Sequence, residues 1–189
     1  MIIDLSQHPF VSGDKLFFDA NIWLAIFPPP SNSQGDEQKK YSKMLKKIKK
    51  ASADCYIDST IISEYLNAYV RASIAQQYPN CSGIKFKEFR ERHNLEYSAI
   101  AGNAEANMRE ILTLPNIHVI DCQISCFDRD VMLTDFGVGH SDWNDLVVVE
   151  VCKSGHFDLI THDGDFKDVC GLNILTHNGK LLNTRMNDV

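Results

Sequence analysis

Four short segments of this 189-residue chain, far apart in sequence, each join an apolar run to a carboxylate. They are Leu16-Phe17-Phe18-Asp19, Ile61-Ile62-Ser63-Glu64, Asp142-Trp143-Asn144-Asp145 ahead of Leu146-Val147-Val148-Val149, and Leu159-Ile160-Thr161-His162-Asp163. An isolated charge beside core segments is costly to bury. Several carboxylates gathered in one place repel one another, and a divalent cation that takes oxygen ligands, such as Mg²⁺, offsets that repulsion. The pattern points to a metal-dependent phosphoryl-transfer site. Each acid taken alone also has a plain structural explanation. Glu64 and Asp145 would lie in first helical turns, where acids complement the dipole, and Asp163-Gly164-Asp165 is ordinary turn chemistry.

The elements that must position these acids can be read from periodicity and punctuation. Residues 15–19 form a short buried strand, followed by a helix over Ala20 to Phe27 that Pro28-Pro29-Pro30 stops. Residues 38–52 form an amphipathic helix with Tyr41, Met44, Leu45 and Ile48 on one side and Lys39, Lys40, Lys43, Lys46, Lys47 and Lys50 on the other. Cys55-Tyr56-Ile57 is a strand, and Thr60 is the expected cap of a helix over 61–77. Residues 79–114 are mostly helical in character, and Ile117 to Ile120 is a strand. Ser141 or Asp142 caps a helix that runs to about Lys153 and is closed by Gly155. The Val147-Val148-Val149 run alone would also suit a strand. Phe157 to Ile160 and Asn173-Ile174-Leu175 are the last strands. Short apolar strands alternating with helices imply a mainly parallel sheet with helices on both faces, a three-layer α/β/α fold. In such sheets, sites form outside the carboxyl ends of the strands. Asp19, Glu64, Asp145 and Asp163 then converge on one edge by topology alone.

Bulk properties bound the partners. The chain is 44% hydrophobic and 23% charged, ordinary for a soluble domain, and its length suits one domain. A net charge of −6 argues against a generally basic nucleic-acid binder. The lysine face of residues 39–50 nevertheless holds 7 of the 19 basic residues. It reads as a solvated face or as a phosphate-backbone strip, with Lys43, Lys46, Lys47 and Lys50 as its contacts. No apolar run approaches a membrane span, and residues 1–13 lack the features of a signal peptide. The six scattered cysteines contain no C-x-x-C pair, so buried free thiols in a reducing cytoplasm are expected rather than a zinc site.

With these residues in view, the chain resembles the PIN-domain family over roughly residues 15–176. Phe18-Asp19-Ala20-Asn21-Ile22-Trp23-Leu24 is similar to the family's opening motif, Ile62-Ser63-Glu64-Tyr65-Leu66 to its second, Asn144-Asp145-Leu146-Val147-Val148 to its third, and Leu159-Ile160-Thr161-His162-Asp163-Gly164-Asp165-Phe166 to its fourth. The resemblance implies one or two bound Mg²⁺ or Mn²⁺ ions and hydrolysis of phosphodiester bonds, usually in RNA. It makes Asp19, Glu64, Asp145 and Asp163 ligands, directly or through water, with Asn21 and Thr161 orienting them. Asp142 reads as an additional ligand or as the helix cap, Asp165 as a further group near the site or as a turn residue, and His140 and His162 as phosphate contacts or plain loop residues. Compact relatives include toxins of toxin–antitoxin pairs, which implies a small antitoxin partner. A homodimer is a further expectation. The segment between Glu64 and Asp145 is longer than in compact members, and residues 79–116 are expected to form a helical insertion capping the acidic edge, or else a dimer surface or an extra core helix pair. The expected activity is an RNA-directed hydrolase. The alternatives are a DNA-directed nuclease or phosphatase using the same acids, and a catalytically silent PIN-like module that binds RNA or protein.

Overall fold

The structure is a computed structural model that describes residues 1–30, 35–81, 83–122, 125, 127–139 and 141–184. Six strands form its sheet: β1 (Ile2–Asp4), β2 (Lys15–Phe18), β3 (Asp54–Asp58), β4 (Ile117–Ile120), β5 (Asp158–Ile160) and β6 (Ile174–Thr176). They are arranged β1-β6-β5-β2-β3-β4, and every neighbouring pair is parallel. Central strand β2 registers Phe17 against Tyr56 of β3 and against Leu159 of β5. Leu16, Phe17 and Phe18 are fully buried, as a strand covered on both faces requires.

Among the described residues eight α-helices accompany the strands. They are α1 (Ala20–Ile26), α2 (Asp36–Ala51), α3 (Ser59–Gln77), α4 (Phe86–Arg92), α5 (Asn94–Leu112), α6 (Arg129–Gly137), α7 (Trp143–Gly155) and α8 (Gly179–Thr184). The chain steps from β2 to β3 to β4 through α1–α5, then returns across the sheet to β5 through α6 and α7. Right-handed crossovers place these two groups on opposite faces, giving the three layers α/β/α. On the first face α1 packs against α2 and α3, and α3 against α5; on the second, α6 packs against α7. Helix α1 follows β2 without a loop and buries Trp23, which stacks on Phe18 with ring centroids 4.7 Å apart. In α2, the predicted apolar side of Tyr41, Met44, Leu45 and Ile48 is the buried one.

Several local expectations are corrected. The cap of α3 is Asp58, whose Oδ1 accepts from Ile61 N at 2.9 Å, rather than Thr60. Asp58 outcompetes Thr60 because it lies at the strand end with extended backbone, the geometry an N-cap needs. Helix α7 runs through Gly155, and His156 takes the left-handed turn (φ 53°, ψ 48°). Gly155 is needed for space instead: a Cβ there would lie 2.0 Å from the Phe157 ring. The Val147–Val149 run is helical. Strand β1 and helices α6 and α8 extend the predicted elements. Cys55 and Cys152 are buried as expected, but Cys81 and Cys122 are half-buried and Cys170 is exposed.

Helix α4, the start of the long segment after α3, lies away from the acidic edge. Helix α3 begins at that edge, and about 20 Å of helix separates Glu64 from its far end at Tyr78. Helix α4 attaches at the far end, where Phe89 packs on Tyr78 (5.6 Å) and His93 Nε2 lies 3.9 Å from Cys81 Sγ. Helix α5 then packs along α3, burying Ile100, Ala104, Met108 and Ile111. The apolar side chains of this segment find their cover against α3, which is the extra core helix arrangement.

Candidate acidic site at the carboxyl edge

Asp19 is the residue immediately after β2 and the N-cap position of α1, so strand direction and helix start both fix it at the carboxyl edge. It is only 7% exposed. Its Oδ2 accepts two hydrogen bonds of 2.6 Å, from Thr161 Oγ1 and from Asn21 Nδ2. Thr161 Oγ1 in turn accepts from Asp163 N at 2.9 Å and from Asn21 Nδ2 at 3.2 Å. Asn21 Oδ1 accepts from His162 N at 3.1 Å. The strand-end pair Asp19 and Thr161 is thereby tied to the turn that carries Asp163. Burial pushes the Asp19 carboxyl up; the Thr161 hydroxyl opposes this, and the charge of Asp163 adds to it.

The other acids surround this pair. Glu64 is in the second turn of α3; burial raises it first, the Asn144 side chain hydrogen-bonds it and lowers it, and the charges of Asp19, Asp142 and Asp58 raise it again. Asp145 is in the first turn of α7. Burial, followed by Asp142, Asp163, Asp19 and Glu64 in that order, pushes it up to about 7. Asp142 caps α7, its Oδ1 accepting from Asp145 N at 2.9 Å, so the cap reading of this residue holds while its charge still bears on Asp145 and Glu64. Asp163 is exposed, with Oδ1 accepting from Asp165 N at 3.0 Å. The structure thus brings Asp19, Glu64, Asp142, Asp145 and Asp163 within electrostatic reach of one another.

Other expected residues lie elsewhere. Asp165 meets the group through its backbone N, which donates to Asp163 Oδ1, and it lines a separate cleft with Ser141, Lys153 and Lys167. Lys43 and Lys47 line a groove on the flank of α2 with Lys40, while Lys46 and Lys50 are exposed on the same helix. His140 lies outside the described residues. His162 is held rather than free: Nδ1 shares a 2.7 Å hydrogen bond with the Tyr41 hydroxyl, and Nε2 lies 3.1 Å from Glu37 Oε1. Burial raises the Tyr41 phenol to about 12, so it stays protonated.

Two participants were missed in the sequence. Asn144 bonds Glu64 and so links α7 to α3. Asp58 is fully buried at the carboxyl end of β3, with Oδ2 lacking any hydrogen-bond partner among the described residues. The signal for Asp58 was its place directly after Cys55-Tyr56-Ile57, the same strand-end position that marks Asp19.

The donor set is all carboxylate and amide or hydroxyl oxygen, the chemistry a hard divalent cation takes. Burial first, and then the like charges of its neighbours, raise the Asp145 carboxyl to about 7, and a cation would relieve that repulsion. Among the described residues no three His, Cys, Asp or Glu side chains stand together as a preformed metal cage. The acids are gathered, with their oxygens not drawn onto one point.

Comparison with known proteins places this geometry in context. Residues 16–172 match the PIN domain family. No curated protein matches the chain significantly in sequence. Among solved structures, the chain is similar to one described as VapBC2 from Rickettsia felis bound to a DNA fragment from their promoter, with a TM-score of 0.53 and 15% identity over 85% of this chain and 97% of that one. At that identity the likeness is one of fold.

Proposed function

Because the chain belongs to the PIN-domain family, we propose that it is a metal-dependent endoribonuclease that hydrolyses phosphodiester bonds in RNA at the carboxyl-edge acids. The observation that carries this reading is the gathering of Asp19, Glu64, Asp142, Asp145 and Asp163 at one sheet edge, where burial first and then four neighbouring carboxylates raise Asp145 to about 7. A purely structural edge has no reason to gather five acids at one place, since their repulsion costs stability. PIN domains are generally nucleases, and a phosphodiester bond is the substrate such a site suits.

In this reading Asp19, Glu64, Asp145 and Asp163 hold one or two Mg²⁺ or Mn²⁺ ions, and Asp142 contributes charge beside them. When bound, the ions neutralise the acids and polarise the scissile phosphate. Thr161 and Asn21 fix the Asp19 carboxylate through Oδ2, leaving its geometry independent of solvent. Asn144 steadies Glu64. The lysine face of α2, through Lys43, Lys46, Lys47 and Lys50, draws the phosphate backbone toward an otherwise acidic chain.

We further read the chain as one PIN-like unit with α4 and α5 as its helical insertion, and as the toxin of a toxin–antitoxin pair. A small antitoxin would cover the acidic edge. Two things support this: the resemblance of the four motifs to a family whose compact members include toxins, and a solved neighbour in fold whose description is of VapBC2. A cytoplasmic location follows from that role, and among the described residues no helix is long and apolar enough to cross a membrane. A homodimer remains part of the proposal. Incubating the purified protein with unstructured RNA, structured RNA and matched DNA, with Mn²⁺ or with EDTA, tests the reading. Mn²⁺-dependent cleavage of RNA is expected. Cleavage of DNA alone would reassign the substrate, and no cleavage with no Mn²⁺-induced thermal shift would make the chain a silent binding module.

A further inference from the structure

We propose that the groove walled by Lys40, Lys43, Lys47 and His177, on the flank of the acidic edge, holds the sugar-phosphate backbone of single-stranded RNA beside the cleaved bond. The inference rests on the ribonuclease reading above and assigns its strand path.

The groove encloses about 490 Å³ at the carboxyl ends of β1 and β6, on the same sheet edge as the acids. Its wall toward the acids is continuous. His177 N donates to the Tyr41 hydroxyl at 3.4 Å, that hydroxyl shares a 2.7 Å hydrogen bond with His162 Nδ1, and His162 precedes Asp163. The rings of Tyr41 and His177 lie 5.4 Å apart. A strand leaving Asp163 across His162 therefore meets the groove next.

Charge selects the ligand. Lys40, Lys43 and Lys47 are exposed, and among the described residues none is paired with a carboxylate. They rise about 4.5 and 6 Å along one side of α2, a ladder that follows a backbone rather than gripping one ion. Among the described residues Asp4 is the wall's one carboxylate. It is engaged by Ser6 N at 2.8 Å and lies 3.9 Å from His177 Nδ1, so it holds the ring more than it repels a ligand. Burial lowers the His177 pKa; Asp4 opposes, while Lys40, His162 and Lys47 push the same way as burial. An anion entering between these cations would reverse that push. The lysine strip of α2 thus divides: Lys43 and Lys47 line the groove with Lys40, while Lys46 and Lys50 do not.

The test is binding of a short fluorescein-labelled oligouridylate, in EDTA so that nothing is cleaved. A triple variant Lys40→Ala, Lys43→Ala, Lys47→Ala is compared with Lys85→Ala, Lys87→Ala, Arg90→Ala, which removes equal charge from the α4 end. The groove triple should bind about tenfold more weakly at low salt, with a log–log salt slope shallower by about 2; the α4 triple should stay within about twofold. In the parent protein, the His177 ring resonances should move and its pKa should rise on adding the oligonucleotide. Equal effects of the two triples, or an unmoved His177, would overturn the groove while leaving Mn²⁺-dependent RNA cleavage by the parent intact. Loss of both binding and cleavage in the parent would overturn the ribonuclease reading and the groove together. Preference of the groove for oligoglutamate over the oligouridylate would assign it to an acidic protein partner and overturn the RNA path.

Discussion

Thr161 Oγ1 donates to Asp19 Oδ2 at 2.6 Å while accepting from Asp163 N at 2.9 Å, so one hydroxyl positions an acid on β2 and the turn that carries another. The contact joins residues 142 positions apart and is fully buried on the Thr161 side. Thr161→Val keeps the shape and removes both bonds together with the 3.2 Å bond accepted from Asn21 Nδ2. It should destabilise the fold by about 1–3 kcal/mol, because a buried carboxylate loses a donor. Cleavage should fall about 10–100-fold, the usual cost of losing a group that orients a metal ligand. Thr161→Ser should restore most of both. Denaturant melts and initial cleavage rates check this; a Val variant with parental rates would make the hydroxyl a packing detail.

The acids should make the metal-free protein pH-sensitive in a definite direction. Asp145 titrates near 7 in the fold against 3.8 in an unfolded chain. The folded state therefore binds the proton more tightly between those values. Asp145 contributes stability that is fully present below about 4 and lost as pH rises toward 7. Thermal melts in EDTA should show the parent weakening across that window, and Asp145→Asn should flatten the slope and melt higher at pH 8. Adding Mn²⁺ should raise the parent's melting temperature and leave Asp145→Asn nearly unchanged. Identical pH profiles for parent and variant would place Asp145 outside the group.

The turn after α7 offers a test of backbone reading alone. His156 is held at φ 53°, a region costing a residue with a Cβ about 1–2 kcal/mol. His156→Gly should stabilise the fold by about 1 kcal/mol. Gly155→Ala should destabilise it, since its Cβ would enter the Phe157 ring, which stacks on Phe17 in the core. Urea midpoints distinguish the two, and a stabilising Gly155→Ala would mean the ring moves aside freely.

Helix α4 should matter for folding rather than for substrate choice. Phe89→Ala removes a fully buried ring beside Tyr78 and His93 and should cost about 3–5 kcal/mol. At a temperature where the variant remains folded, its preference among RNA substrates should match the parent's. A changed preference would return this segment to the acidic edge.

These cases show what sequence reasoning reaches. Strand-end acids such as Asp19 and Asp163 were legible because a fully apolar run that stops on a carboxylate has few explanations, and parallel topology then fixes their edge. Helix α2 was legible from the period of Tyr41, Met44, Leu45 and Ile48. The cap of α3 was misplaced because Asp58, Ser59 and Thr60 are all capping residues and only the backbone at Asp58 decides among them. Helix α6 was hidden because Val131, Leu133 and Phe136 remain exposed, so no apolar side announced it. The position of α4 was misjudged because the charges of Lys85, Lys87, Arg90 and Arg92 suggested a substrate, while Phe89 and the length of α3 decided the matter. The hold of Tyr41 and Glu37 on His162 spans more than 120 residues and leaves no local trace.

Hydrolysis of RNA by the carboxyl-edge acids with a divalent ion is the proposal on which the others depend. The most direct measurement is the Mn²⁺-dependent cleavage rate of one unstructured RNA by the parent and by Asp19→Asn, Glu64→Gln, Asp145→Asn and Asp163→Asn, each first shown by circular dichroism to be folded. Cleavage by the parent that EDTA abolishes is expected, with losses of about 10²-fold or more in every variant. Parental rates in all four folded variants would contradict it.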